Sequence, residues 1–131
     1  MLLQLLCVLV SVQSIPRGIV GKEAPSLQGV AWVQTIDNVS PSVEEGKVNY
    51  LFFFQSWCPG CHSHGFPTLQ KLKEKFPAVN FIAVQTVFEG FSTNTKTRAV
   101  ADVKSFGLDI PVGHDGTLET PSPLMRVYRS G

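Results

Sequence analysis

The sequence predicts an α/β domain built on a parallel sheet, and three observations carry that prediction. Val48-Asn49-Tyr50-Leu51-Phe52-Phe53-Phe54 is almost continuously apolar and aromatic, which suits a strand buried on both faces. From Cys61 onward, Leu69, Leu72 and Phe76 recur at helical spacing, while Lys71, Lys73, Glu74 and Lys75 fall mostly on other faces, as an amphipathic helix requires. Val79 to Val87 is a second β-branched and apolar run. Strand, helix and strand make a βαβ unit, whose strands are parallel and whose crossover is right-handed.

The other elements follow in chain order. Residues 1–15 hold an apolar run, Met1 to Val12, too short to span a bilayer but of the length of a signal-peptide core. No Lys or Arg precedes it, so two readings stand, a cleaved export signal or a hydrophobic arm that packs on the domain. An exported chain would be periplasmic or secreted, and one that keeps its arm cytoplasmic. Cys7 lies in this leader and is expected to be buried rather than reactive. The domain proper is expected over residues 16–131.

Pro16, Gly18 and Gly21 mark an entry loop. Ala31 to Ile36 reads as a short strand, with Trp32 in the core. Asp37 to Lys47 is a polar connection in which Glu44 and Glu45 make a solvated turn, and Asn38-Val39-Ser40 is a formal glycosylation acceptor. Past the second long strand, Phe91 to Asn94 is a loop. Thr97 to Phe106 is a helix with Val100, Val103 and Phe106 on one stripe, stopped by Gly107. Leu108 to Val112 is expected as a strand, Gly113-His114-Asp115-Gly116 as a turn, and the stretch Pro121 to Tyr128 as a last helix with Pro121 or Pro123 near its start.

A chain of 131 residues, 44% hydrophobic, is one domain with a real core. A formal charge of +1 without a basic cluster gives no electrostatic footprint for nucleic acid. Three cysteines, one of them in the leader, do not make a disulfide framework.

The chemistry concentrates in Trp57-Cys58-Pro59-Gly60-Cys61-His62, where the first long strand hands over to the helix. A helix N-terminus offers unpaired N–H groups and the positive end of the peptide dipoles, so it stabilises a thiolate. Cys58 is placed to benefit, and thiols so placed ionise near or below neutral pH. Cys61, one turn further in, is more shielded. Two intervening residues let the pair close a small disulfide ring, and Pro59 and Gly60 set how readily it forms and breaks. Trp57 either packs beside the sulfurs and limits water or is a plain core aromatic.

Trp-Cys-x-x-Cys after a hydrophobic strand, followed by a helix carrying Pro67, resembles the thioredoxin superfamily, and more narrowly its TlpA/ResA-like and redoxin branches. The similarity runs from about Gly18 to the end of the chain, and Gly21-Lys22-Glu23-Ala24-Pro25 resembles the entry segment of that branch. The resemblance implies a thioredoxin-like fold and thiol–disulfide exchange on a protein or small-molecule disulfide or dithiol, with no cofactor and no metal. It also implies that a segment like Leu124 to Tyr128 leads into a loop whose cis-proline faces the sulfurs, then an antiparallel strand pair and a helix. The sequence stops at Gly131, so the domain is expected to be truncated before that loop.

Departures from the family pattern bear on the proton acceptor for Cys61. Thioredoxins carry an acid on the strand before the motif, where this chain has Phe52. TlpA/ResA-like members place a Glu three residues after the second cysteine, where this chain has His64. His64, and less so Glu89, are therefore the candidate acceptors, since a histidine takes up a proton near neutral pH. Pro67 falls one residue later than in the family, so the extra residue around Gly65 is expected to form a bulge that decides whether His62 or His64 faces the cysteines.

Other functions compete for the same residues. Cys58-Pro59-Gly60-Cys61-His62 matches the c-type haem attachment pattern, with His62 as axial ligand. A copper chaperone of this fold would pair the two thiolates with the remote His114, soft sulfur suiting Cu(I). A peroxiredoxin-like antioxidant would want a threonine three residues before its reactive cysteine, where Gln55 stands. A zinc site from Cys58, Cys61, His62 and His64 crowds its ligands into too few residues to surround an ion.

Overall fold

The computed structural model describes residues 18–128. The leader, with Cys7, therefore lies outside the described residues. Strands β1 (Ala31–Gln34), β2 (Asn49–Phe54), β3 (Asn80–Thr86) and β4 (Val112–Asp115) form one sheet in the order β1-β4-β3-β2. β2, β3 and β4 are parallel, and β1 runs antiparallel to β4. Helices α1 (Phe66–Lys75), α2 (Lys96–Phe106) and α3 (Pro123–Tyr128) complete the domain.

Both faces of the sheet are covered, which is why β2 and β3 read as continuous apolar runs. Successive strand residues point to opposite faces. Tyr50, Phe52 and Phe54 of β2, with Phe81 and Ala83 of β3, join Phe66 and Leu69 of α1 and Val103 and Phe106 of α2 in one core. Leu51 and Phe53, with Ile82 and Val84, join Leu27, Val30, Leu124 and Trp32 in the other. Phe66 sits at the centre of the first, edge-on to Phe52 and Phe54 and stacked on Phe106.

The stretch after Cys61 is not one regular helix. Helical backbone starts at Pro59 and Gly60, widens into a π-helical turn over Cys61–Gly65, and continues as α1. The turn absorbs one extra residue and brings Pro67 near the head of α1, where its missing N–H costs little. Gly65 is there because Phe52 leaves no room, since a Cβ on it would lie 2.6 Å from the Phe52 Cζ. Phe76, expected on the helix stripe, lies beyond α1 and is 46% exposed.

The strand expected at Leu108 to Val112 forms later in the chain, and all but the last residue of the turn expected at Gly113 to Gly116 lies inside it. Leu108 and Ile110 are buried, but their carbonyls accept hydrogen bonds from the Gln34 side-chain amide, at 2.7 and 2.8 Å. A side chain thus satisfies backbone that a ladder would otherwise serve. Gly113 marks a close approach instead of a turn, because a Cβ on it would lie 2.3 Å from Val30 Cγ1. The last helix begins at Pro123, the second of the two prolines expected near its start, where the Asp115 carboxylate accepts the Leu124 N–H at 2.9 Å.

Candidate functional site

Cys58 and Cys61 lie beyond the C-terminal end of β2, on the side of the sheet where parallel strands present their ligand-binding crevice. Cys58 immediately precedes the helical backbone. Its carbonyl accepts from His62 N–H at 3.4 Å, and its sulfur accepts from Cys61 N–H at 3.3 Å. The sulfur thus takes the place that a serine or aspartate oxygen takes in a helix cap, facing an N–H that the helix leaves unpaired. Both cysteines are in the free thiol state.

The two sulfurs differ in character. The Cys61 thiol and the Cys61 N–H both point at the Cys58 sulfur and lower its pKa. Burial, helped by the bond that the thiol donates to Cys58 and by the Asp102 charge, pushes Cys61 up to about 11. One sulfur is ready to act as an anion while its neighbour keeps its proton.

Of the candidate proton acceptors, His64 is exposed and shares a 2.7 Å hydrogen bond with Ser63 Oγ. His62 turns inward. Its ring packs on Phe66 and Phe106, and its buried Nε2 lies 3.4 Å from Asp102 Oδ1, outside hydrogen-bond geometry. That packing occupies the ring that a haem iron would need as axial ligand. Glu89 stands at the rim, where its charge opposes ionisation of Cys58.

Asp102 is the residue that the sequence reading missed. It comes from α2, is 5% exposed, and accepts a 2.6 Å hydrogen bond from Ser56 Oγ on Oδ2. Its signal was present: with Ala99, Val103 and Phe106 it falls on the inward stripe of α2, where an acid is out of place unless it has partners. Ser56, Gln85 and Asn94 are buried around it. Asn94 Oδ1 accepts the Ser56 N–H at 2.7 Å, and its amide donates to Gln55 Oε1 at 3.2 Å and the Glu89 carbonyl at 2.9 Å. These contacts fix the loop from Gln55 to Trp57.

Trp57 is 46% exposed, and its indole N–H donates to Gln55 Oε1. It lies against Gly90, where a Cβ would be 2.8 Å from Trp57 Cδ1. With Phe53, Phe88, Met125 and both cysteines it lines an open groove of about 390 Å³. A Cβ on Gly60 would lie 3.9 Å from the Cys58 sulfur, and Pro59 occupies the first helical position. Among the described residues no three His, Cys, Asp or Glu side chains are grouped to hold a metal ion, so Cys58, Cys61 and His114 do not form the copper triad. No helix among the described residues is long and apolar enough to cross a membrane.

Residues 19–123 match the Redoxin family. Among solved structures, the chain is 30% identical to a thioredoxin-like superfamily protein, with a TM-score of 0.71 over 81% of this chain and 71% of that one. It is 33% identical to a thiol-disulfide isomerase from Corynebacterium glutamicum, with a TM-score of 0.62 over 81% of this chain and 72% of that one. A conserved protein from Geobacillus kaustophilus, 21% identical, shares the fold with a TM-score of 0.64 over 87% of this chain and 58% of that one. Comparison with curated proteins finds no match.

Proposed function

The chain belongs to the Redoxin family and has a thioredoxin-like fold, and from that premise we propose that it is a thiol–disulfide oxidoreductase working through Cys58 and Cys61. The Cys58 thiolate attacks one sulfur of a substrate disulfide, forming a mixed disulfide and releasing the other sulfur as a thiolate. Cys61 then gives up its proton and attacks the Cys58 sulfur. The Cys58–Cys61 bond forms, the bond to substrate breaks, and the second substrate sulfur leaves and is protonated. The substrate gains two electrons and the pair loses them. A dithiol reductant restores the pair, and the same steps reversed oxidise a dithiol.

The observation that carries this reading is the contrast between the sulfurs: Cys58 lowered beneath the Cys61 N–H, and Cys61 buried and pushed up to about 11. A sulfur with so high a pKa resolves a mixed disulfide slowly unless a base takes its proton. Asp102 is that acceptor, in preference to the exposed His64, because it is buried on the Cys61 side and its charge acts on Cys61. The groove of Trp57, Phe53 and Phe88 suits an apolar segment flanking the disulfide of a protein substrate. An export leader over residues 1–15 would place the reaction outside the cytoplasm, where structural disulfides form.

Trapping tests the assignment. Cys61→Ser, mixed with a peptide disulfide, should accumulate a covalent adduct at Cys58, whereas Cys58→Ser should form none. An adduct that accumulates on Cys61 in the Cys58→Ser protein at the same rate would overturn the roles.

A further inference from the structure

We propose that His114 is a positioning residue for this exchange reaction, acting through Gln85 and Ser56 to fix the orientation of the Asp102 carboxylate. The inference rests on the reading of Asp102 as proton acceptor. His114 of β4 and Gln85 of β3 are register partners, so their side chains leave the same face of the sheet, the one that α2 covers. There His114 Nδ1 lies 2.5 Å from Gln85 Oε1, Gln85 Nε2 lies 2.5 Å from Ser56 Oγ, and Ser56 Oγ lies 2.6 Å from Asp102 Oδ2. Gln85, Ser56 and Asp102 are 0, 1 and 5% exposed.

The direction of every bond is fixed by what its acceptor lacks. A carboxylate has no proton, so Ser56 O–H donates to Asp102. The serine oxygen is then free to accept only, and the Gln85 amide N–H supplies it. The amide oxygen has no proton, so the His114 Nδ1–H must donate. All three donors point toward Asp102. The last of them, Ser56 O–H, occupies Oδ2 and leaves Oδ1 as the oxygen beside His62.

His114 holds the far end, and it decides which way round Gln85 sits. An amide that loses the donor at its oxygen is free to turn over. Its oxygen would then face Ser56 and draw the serine proton away from Asp102, leaving the carboxylate loose in a buried site. The groups about His114 are Lys96 at the head of α2, the adjacent Asp115, Ala31 opposite on β1, and Asp102 at the end of the chain. Burial and Lys96 lower the pKa of His114. Protonation at acid pH would add a proton to Nε2 and leave the Nδ1–H in place, so the chain does not depend on the charge of His114.

The test uses an aromatic disulfide that releases one coloured thiolate when Cys58 attacks and a second when Cys61 resolves, followed by stopped flow on the reduced protein. His114→Leu removes the donor and should slow the second phase by about tenfold or more, the scale of a misplaced catalytic group, leaving the first unchanged. His114→Asn places an amide N–H where Nδ1–H stood and should restore the second phase. If His114→Leu fails to fold, His114→Gln, whose donor falls at the Nε2 position, takes its place as the donor-deficient variant. Equal slowing of both phases, equal rates in the Leu and Asn proteins, or an unchanged second phase in the donor-deficient variant would overturn the proposal while the two-phase trace of the parent still upholds the exchange reaction. A parent trace with a single phase would overturn both.

Discussion

The Nε2 of His62 lies 3.4 Å from Oδ1 of Asp102, which brings the turn after the cysteines against the middle of α2. The contact exists because the π-helical turn rotates His62 inward and His64 out, and because Phe66 and Phe106 hold the imidazole from the side. On the proposed reading, the acid that serves Cys61 comes from α2 rather than from the strand or the helix that flank the cysteines. Asp102→Asn keeps the shape of the side chain and removes its basicity. Expected is a loss of about 10²-fold or more in the resolving step, the usual contribution of general base catalysis, with capture by Cys58 unchanged. Two-phase thiolate release measures both steps, and the same measurement on His64→Ala decides between the two acceptors.

A second prediction concerns Phe52, which stands where thioredoxins place an acid. Its ring fills the space beneath Gly65, so Gly65→Ala should cost about 1–3 kcal/mol by overpacking, read by urea unfolding. Phe52→Leu in the same chain should recover most of that loss. If Gly65→Ala instead stabilises, by up to the roughly 1 kcal/mol that alanine gains in a helix, the ring yields freely and the packing account fails.

Asn94 offers a third. Removal of its side chain leaves the buried Ser56 N–H without its acceptor, and the Glu89 carbonyl without its donor. Asn94→Ala should therefore cost about 1–3 kcal/mol, seen as a lower urea midpoint at constant m-value. An unchanged midpoint would mean that the Gln55 to Trp57 loop is held by other contacts.

These sites show what the sequence could and could not reveal. The buried βαβ unit was legible because both faces of β2 and β3 are covered, so no polar alternation interrupts the run. The cysteine pair was legible because its spacing and its place between strand and helix are local. Asp102 was not, because its partner Ser56 lies far away in sequence and only the fold brings them within 2.6 Å. The end of the sheet was misread for a related reason. Gly113 and Asp115 carry turn-forming residue types, yet Gly113 is small to admit Val30 and Trp32, and Asp115 is there to hold Ser122 Oγ and Leu124 N–H.

The pH dependence of stability should carry the opposed shifts of the two thiols. A lowered Cys58 contributes stability that is present above the ordinary thiol pKa and is lost as pH falls through its folded value. A raised Cys61 contributes stability that is fully present below the ordinary value of 9.0 and is lost as pH rises through about 11. The reduced protein should therefore lose stability across that alkaline window, and Cys61→Ser should lack this part of the loss. Urea unfolding at a series of pH values, compared between the two proteins, checks the sign; identical alkaline slopes would contradict it.

The most direct test is the rate of alkylation of each cysteine in the reduced protein as a function of pH, resolved by peptide mass spectrometry. Cys58 should react with a midpoint below that of an unassisted thiol, while Cys61 should stay protected until the pH approaches about 11. Equal midpoints for the two sulfurs, or faster modification of Cys61 at neutral pH, would contradict the account.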